Sequence, residues 1–90
     1  MTETHEARLK RLSMRSWRRG TKEMDLVFGP WSDAHLAKAD DDLLLAYDAL
    51  LEENDQDLAS WIVGQLPPPA RHAALLDRIG TFAKSRLMRG

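Results

Sequence analysis

The stretch DDDLLLAYDALL, residues 40–51, decides the fold class of this chain. Its three aspartates supply a helix N-cap and negative charge in the first helical turn, where the helix dipole favours acidic side chains. The apolar residues that follow recur three and four positions apart, which places them on one face of a helix. That face comprises Leu43, Leu44, Ala46, Tyr47, Leu50 and Leu51. We therefore predict an amphipathic helix that starts at residues 40–42.

The segment before this helix also follows a helical spacing. Met24, Val27, Phe28 and Trp31 stand at positions i, i+3, i+4 and i+7, which is one helical face. A helix is predicted to start near Gly20-Thr21; if Gly20 is the N-cap, Glu23 is the third residue of the helix. Pro30 should kink or interrupt this helix, and the segment around Val27 and Phe28 could instead be extended. Trp31 is assigned either to the core or to an interface.

Three further helices complete the predicted architecture. One covers residues 5–16, a short one starts at Asn54-Asp55 and ends at Gly64, and the last follows the connector Pro67-Pro68-Pro69, with a proline at its first position. Their apolar members are Leu9, Leu12 and Met14; Leu58, Trp61 and Ile62; and Leu75, Leu76, Ile79, Phe82, Ala83 and Leu87. The fold class is therefore all-α, a compact bundle of about five short helices in a single domain over residues 1–90. Residues 1–5 are expected to be flexible and residues 88–90 to fray.

Length and composition exclude several classes of protein. Ninety residues provide one hydrophobic core, and the absence of cysteine excludes disulfides, thiolate metal sites and a cysteine nucleophile. The longest apolar run, residues 43–47, is far too short to span a bilayer. The polar, acidic N-terminal residues do not resemble an export signal or an organelle transit peptide. We expect a cytoplasmic protein with no membrane insertion.

Charge is segregated along the chain, although the net charge is only −1. Residues 1–23 hold seven Lys or Arg and three Glu, residues 24–63 hold one Lys and ten acids, and residues 64–90 hold five basic groups and one acid. This pattern indicates either orientation toward a charged partner or complementation within the fold. Nucleic-acid binding by the basic N-terminal part is disfavoured, because the pI is near 6.3 and the acidic middle would repel phosphate.

The sequence contains no recognisable catalytic or cofactor-binding motif. His5, His35 and His72 are not spaced as metal ligands on one helix, and no nucleophile elbow, Walker A loop or G-x-G-x-x-G fingerprint is present. We expect the protein not to be an enzyme, to hold no metal, and to bind no cofactor stably.

A contact surface is instead indicated by WRRGTKEMD, residues 17–25. Nothing apolar lies between Arg18 and Glu23, so packing in a core cannot explain this segment. In one interpretation Gly20 only caps a helix while Arg19 and Glu23 form an exposed pair four residues apart. In the other, Gly20 lets the backbone of a partner approach closely, and Arg19 and Glu23 face outward to make charged hydrogen bonds beside it. Trp17 would then serve as an aromatic anchor.

These residues resemble the succinate dehydrogenase assembly factor family, whose bacterial members are called FAD assembly factor SdhE. Arg19-Gly20-Thr21-Lys22-Glu23 matches the R-G-x-x-E motif of that family, and Met24-Asp25 continues it as in family members. Pro30 followed by an aromatic residue, and the stretch LLEENDQDL at residues 50–58 leading to Trp61, extend the resemblance over roughly residues 8–88.

The resemblance implies a five-helix bundle that binds the flavoprotein subunit of succinate dehydrogenase, or in some bacteria of fumarate reductase. It further implies that the protein promotes covalent attachment of FAD to a histidine of that subunit, so that the partner and not this chain carries FAD. By position in the motif, Arg19, Gly20 and Glu23 would contact the flavoprotein, with Asp25, Arg8 and Trp17 as weaker additions. We expect a monomer. Two alternatives are open: an antitoxin-like or nucleic-acid-binding regulator, and an interaction domain with another client.

Overall fold

The structure of this chain, a computed structural model, describes residues 3–88 and contains only helices in that range. Five α-helices follow one another: α1 (His5–Trp17), α2 (Lys22–His35), α3 (Asp41–Leu51), α4 (Asp55–Val63) and α5 (Ala70–Met88). A single 3₁₀ turn, Leu36–Lys38, continues α2. The predicted all-α class and the number of helices are confirmed.

Polar side chains cap the first four helices. The side chains of Asp40 and Asn54 accept the main-chain N–H of Leu43 and Asp57 at 2.8 Å, as predicted for the starts of α3 and α4. The N-cap of α2 is Thr21, whose hydroxyl accepts the N–H of Met24, which agrees with the predicted start near Gly20-Thr21 and assigns the cap to Thr21 instead of Gly20. Gly20 has a φ of +108°, which belongs to the turn before the helix.

Pro30 does not interrupt α2, and Val27 and Phe28 are helical, as their spacing predicted, and not extended. Proline in a helix interior removes one main-chain donor and costs about 3 kcal/mol. The helix continues because Phe28, Pro30 and Trp31 are all buried, and their burial offsets that cost. Ser32 also donates its hydroxyl to the carbonyl of Gly29 at 2.7 Å.

The core lies between α2, α3 and α5 and includes residues from every helix. Trp31 is fully buried against Tyr47, with ring centroids 4.8 Å apart, which assigns this tryptophan to the core. Tyr47 bonds through its hydroxyl to Ser16, and burial raises the pKa of Tyr47 to about 12. Met14 is exposed, contrary to its predicted apolar role in α1.

One feature near the ends of the chain, the start of α5, differs from the prediction. Glu3 pairs with Arg11 at 2.8 Å and Thr4 caps α1, while the flexibility expected for residues 1–5 and the fraying expected for residues 88–90 stay predictions. Pro69 directly precedes α5 and accepts the N–H of His72 through its carbonyl, so no proline takes the first helical position. Residues 1–2 and 89–90, and the side chains of Leu87 and Met88, lie outside the described part of the chain.

Helix packing places the α1–α2 turn beside the linker between α3 and α4. α1 packs along α2 and also contacts α3, while α5 crosses α2, α3 and α4. None of the helices within residues 3–88 has the length and apolar character needed to cross a membrane.

Candidate functional site

The segment predicted as a contact surface forms a tight turn between two helices. α1 ends at Trp17 and α2 starts at Lys22, so the chain reverses within residues 18–21. The φ of +108° at Gly20 is accessible to glycine and strained for other residues. The turn therefore needs glycine for its own backbone, independently of any partner.

The side chain of Arg19 points into the protein, so the expectation that it faces outward beside Glu23 is wrong. It pairs with Asp55, with 3.0 Å between Nη2 and Oδ1, and only 7% of the Arg19 side chain and 15% of the Asp55 side chain are exposed. Its Nη1 donates to the carbonyl of Leu51 at 2.8 Å and its Nη2 to that of Glu53 at 2.9 Å. These carbonyls close the end of α3, where a cation is favoured. Arg19 thus cannot also form the predicted surface pair.

Gly20, Glu23 and Asp25 lie around this buried arginine. Gly20 is exposed, and a Cβ at this position would lie 3.3 Å from Oδ2 of Asp55. Asp25 accepts the main-chain N–H of Arg19 at 2.6 Å, which ties the turn to the first part of α2. Glu23 is exposed in the first turn of α2. Of the three motif residues, Gly20 and Glu23 are therefore accessible to a partner.

Trp17 and Arg8, the remaining predicted site residues, lie outside this cluster. The indole of Trp17 covers Gly29, where a Cβ would overlap the ring, and its N–H donates to Asp33 at 3.2 Å. Part of the ring stays exposed. Arg8 lies nine residues before Trp17, roughly 13 Å along α1, and its Nη1 is 3.8 Å from Asp41. The structure therefore separates Arg8 from the turn.

An apolar groove beside Glu23 was not predicted from the sequence. It has a volume of about 610 Å³ and lies between α2, the end of α4 and α5. Its most exposed apolar side chains are Leu26, at 54%, and Val63, at 67%; Glu23, Lys84 and Arg86 also line it. In the sequence, only Leu26 pointed to this groove, because it is an apolar residue outside the buried face of α2 that begins at Met24. The groove needs three helices that only the fold brings together.

Asp55 was also missed as a site residue. Its position directly after Asn54 indicated only the start of a helix, and its partner Arg19 is 36 residues away in the sequence. No local pattern connects these two side chains.

The charges that are segregated along the sequence pair with one another within the fold. Basic residues of α1 pair with acids of the middle segment: Arg11 with Asp48 at 2.8 Å and Arg15 with Glu52 at 2.7 Å. The hydrogen bond from Arg11 holds the pKa of Asp48 below its ordinary value. Within residues 3–88, no three His, Asp or Glu side chains are grouped to hold a metal ion.

Known proteins resemble this chain over most of its length. The profile of the Sdh5 family, described as flavinator of succinate dehydrogenase, matches residues 10–83. FAD assembly factor SdhE of Acetobacter pasteurianus is 34% identical over 85 residues, which cover 93% of this chain and 76% of that protein.

Fungal proteins named mitochondrial succinate dehydrogenase assembly factor 2 match as well. The Mycosarcoma maydis protein is 33% identical over 88% of this chain and 33% of its own length. The Schizosaccharomyces pombe protein is 36% identical over 77% of this chain and 50% of its own length. The chain thus spans at most half the length of these two fungal relatives. The match over residues 10–83 includes the complete R-G-x-x-E turn, and this chain belongs to the Sdh5 family of succinate dehydrogenase assembly factors.

Proposed function

We propose that this chain binds the flavoprotein subunit of succinate dehydrogenase, or of fumarate reductase, and promotes covalent attachment of FAD to that subunit. The observation that carries the proposal is the R-G-x-x-E turn of a flavinator-family member, with Gly20 and Glu23 exposed at its surface.

The physical properties of this surface suit a protein partner. The exposed Gly20 has no side chain, so the backbone of another protein can approach the turn closely. The exposed carboxylate of Glu23 is able to accept charged hydrogen bonds from the partner. The apolar groove beside Glu23 offers the same flavoprotein non-polar surface to bury, which supplies binding free energy.

The chain would act without catalysing the reaction itself, and FAD would stay on the partner. Covalent attachment requires the flavin ring and a histidine of the flavoprotein to be held in a reactive geometry. A protein that binds this reactive conformation more tightly than others raises its population. In this mechanism Glu23 and the backbone at Gly20 orient groups of the flavoprotein and transfer neither protons nor electrons.

Co-expression with the flavoprotein subunit tests the proposal, with covalent flavin measured by in-gel fluorescence. We expect Gly20→Arg and Glu23→Ala to lower covalent flavin strongly. Glu6→Ala is the matched control, because Glu6 is also an exposed glutamate one residue into a helix, two residues after a threonine N-cap. Glu6→Ala should leave flavin attachment unchanged. Wild-type flavin content with folded Glu23→Ala and Gly20→Arg variants would contradict the assignment.

The alternative, an antitoxin-like or nucleic-acid-binding module, has less support. Arg11, Arg15 and Arg19 are paired with acidic side chains of their own chain and are not free for phosphate. Strong and steeply salt-dependent DNA binding would favour this alternative. The cytoplasmic location and the monomeric state stay predictions, the latter testable by light scattering.

A further inference from the structure

Asp55, which lies outside the R-G-x-x-E motif, pairs with the first motif residue, Arg19, and lies beside the second, Gly20. One carboxylate oxygen, Oδ1, accepts from Nε of Arg19 at 3.0 Å and lies 3.0 Å from Nη2. The other, Oδ2, is the atom that a Cβ at position 20 would meet at 3.3 Å. The carboxylate of Asp55 is therefore held between the guanidinium of Arg19 and the backbone of Gly20.

Arg19 links three segments from this position. It reaches the carbonyl of Leu51 at the end of α3, the carbonyl of Glu53 in the linker, and the carboxylate of Asp55 at the start of α4. Its main-chain N–H donates to Asp25 in α2 at 2.6 Å. Side chain and main chain together hold the α1–α2 turn against α4 on one side and α2 on the other.

This arrangement divides the motif into an internal and an external part. The donors of Arg19 are engaged by its own chain and its side chain is nearly inaccessible, whereas Gly20 and Glu23 are exposed on the outside of the turn. A buried side chain that is bonded through each of its nitrogens is costly to extract, because the carboxylate and carbonyls it leaves behind lose their partner.

We propose that Asp55 is a positioning residue of the docking surface. Through Arg19 it holds the turn so that the backbone of Gly20 and the carboxylate of Glu23 meet the flavoprotein in the right geometry. Arg19 acts from within the fold and does not contact the partner. This proposal rests on the proposed function, since it assumes that the flavoprotein binds at the turn.

The first experiment uses the free chain and needs no partner. Asp55→Asn keeps the shape of the side chain and removes its charge. We expect the amide of Arg19, which donates to Asp25, to exchange its hydrogen about tenfold faster in Asp55→Asn than in the wild type. Gly64→Ala is the control for general destabilisation, because Gly64 also has a positive φ but lies in open space. Gly64→Ala should accelerate amide exchange throughout the fold and not specifically at the α1–α2 turn.

The second experiment measures affinity for the flavoprotein subunit in a double-mutant cycle of Asp55→Asn, which keeps the shape of the side chain, and Arg19→Lys, which keeps its charge; the free energy of unfolding of each variant shows that it is folded. We expect each single variant to bind about tenfold more weakly, and the double variant to bind no more weakly than either one. Gly64→Ala should bind like the wild type, because a moderately destabilised chain is still almost entirely folded.

The outcomes separate the two proposals. If Asp55→Asn leaves exchange at the turn unchanged, the positioning role is overturned. It is also overturned if Asp55→Asn binds normally while Arg19→Lys weakens binding in both backgrounds, and that result would indicate that Arg19 contacts the partner. If exchange at the turn accelerates but the wild type does not bind the flavoprotein, the proposed function fails, and the docking role of Asp55 fails with it.

Discussion

The two ends of α1 use the same chemical groups with different results. At its start, Thr4 caps the helix, Glu6 is exposed, and Arg11 pairs with Glu3 and with Asp48 of α3. After its end, Thr21 caps α2, Glu23 is exposed, and Arg19 pairs with Asp55 of α4. The side chain of Arg11 is 38% exposed, whereas that of Arg19 is 7% exposed.

This difference indicates that burial, and not the presence of an ion pair, determines how much each arginine contributes to the stability of the fold. Water solvates Arg11 and its carboxylates when their pairs open, so those pairs contribute little. Arg19 and Asp55 have little access to water, and removal of either one leaves the other unpaired. The turn that carries the family motif is therefore fixed more firmly than the start of α1.

The largest expected effect on stability comes from truncation of Arg19, with truncation of Arg11 as the comparison. Arg19→Ala should lower the free energy of unfolding by about 3 kcal/mol, because Asp55 and two carbonyls lose their donor. Arg11→Ala should lower it by about 0.5–1 kcal/mol. Chemical denaturation of both variants measures the difference. Equal losses would show that the buried pair has no special weight.

Substitution of the two glycines with positive φ should have the next largest effect. Gly20→Ala should cost about 2 kcal/mol, because the new methyl group is strained at a φ of +108° and presses on Asp55. Gly64→Ala should cost about 1 kcal/mol, because φ is +84° there and the surrounding space is open. Thermal unfolding gives both values. A Gly20→Ala variant as stable as Gly64→Ala would contradict the close approach to Asp55.

Acid should weaken the ion pair between Arg11 of α1 and Asp48 of α3. The hydrogen bond from Arg11 holds the pKa of Asp48 in the folded chain below the ordinary value of 3.8. The resulting stabilisation is present above about pH 4 and is lost as the pH falls through the lowered pKa. Its size should be about 0.5–1 kcal/mol. Urea denaturation at steps of about one pH unit between pH 2 and pH 6 measures the free energy of unfolding. As the pH falls, this free energy should decrease less for Asp48→Asn than for the wild type.

The smallest expected effect on stability is that of the two exposed glutamates. Glu6→Ala and Glu23→Ala each remove an acidic side chain from a first helical turn, which should cost no more than about 0.5 kcal/mol. The two variants should therefore be equally stable and differ only in flavin attachment. A large stability loss for Glu23→Ala alone would mean that Glu23 has a structural role.

Local features of the sequence were sufficient for most of the fold. The caps Asp40 and Asn54, the left-handed Gly64 and the apolar face of α2 were predicted from neighbouring residues, and the structure confirms them. At Pro30 the helix continues without the interruption that the sequence allowed, because packing of the surrounding side chains outweighs the helix-breaking preference of proline.

The candidate site was predicted less completely. The R-G-x-x-E motif located the turn, and its exposed Gly20 and Glu23 agree with a contact surface. The inward direction of Arg19 and the role of Asp55 were not predictable, because the two residues are 36 positions apart. The groove around Leu26 was missed for a similar reason, since its walls come from three helices.

The sequence alone determined that this protein is a helical bundle with a glycine turn inside a family motif. Helix periodicity, caps and turn glycines depend on residues only a few positions apart, and such local preferences can be read along the chain. The tertiary structure alone decided which charges face water and which are enclosed. That choice depends on the packing of α1 and α2 against α3 and α4, because burial changes the free energy of each ion pair.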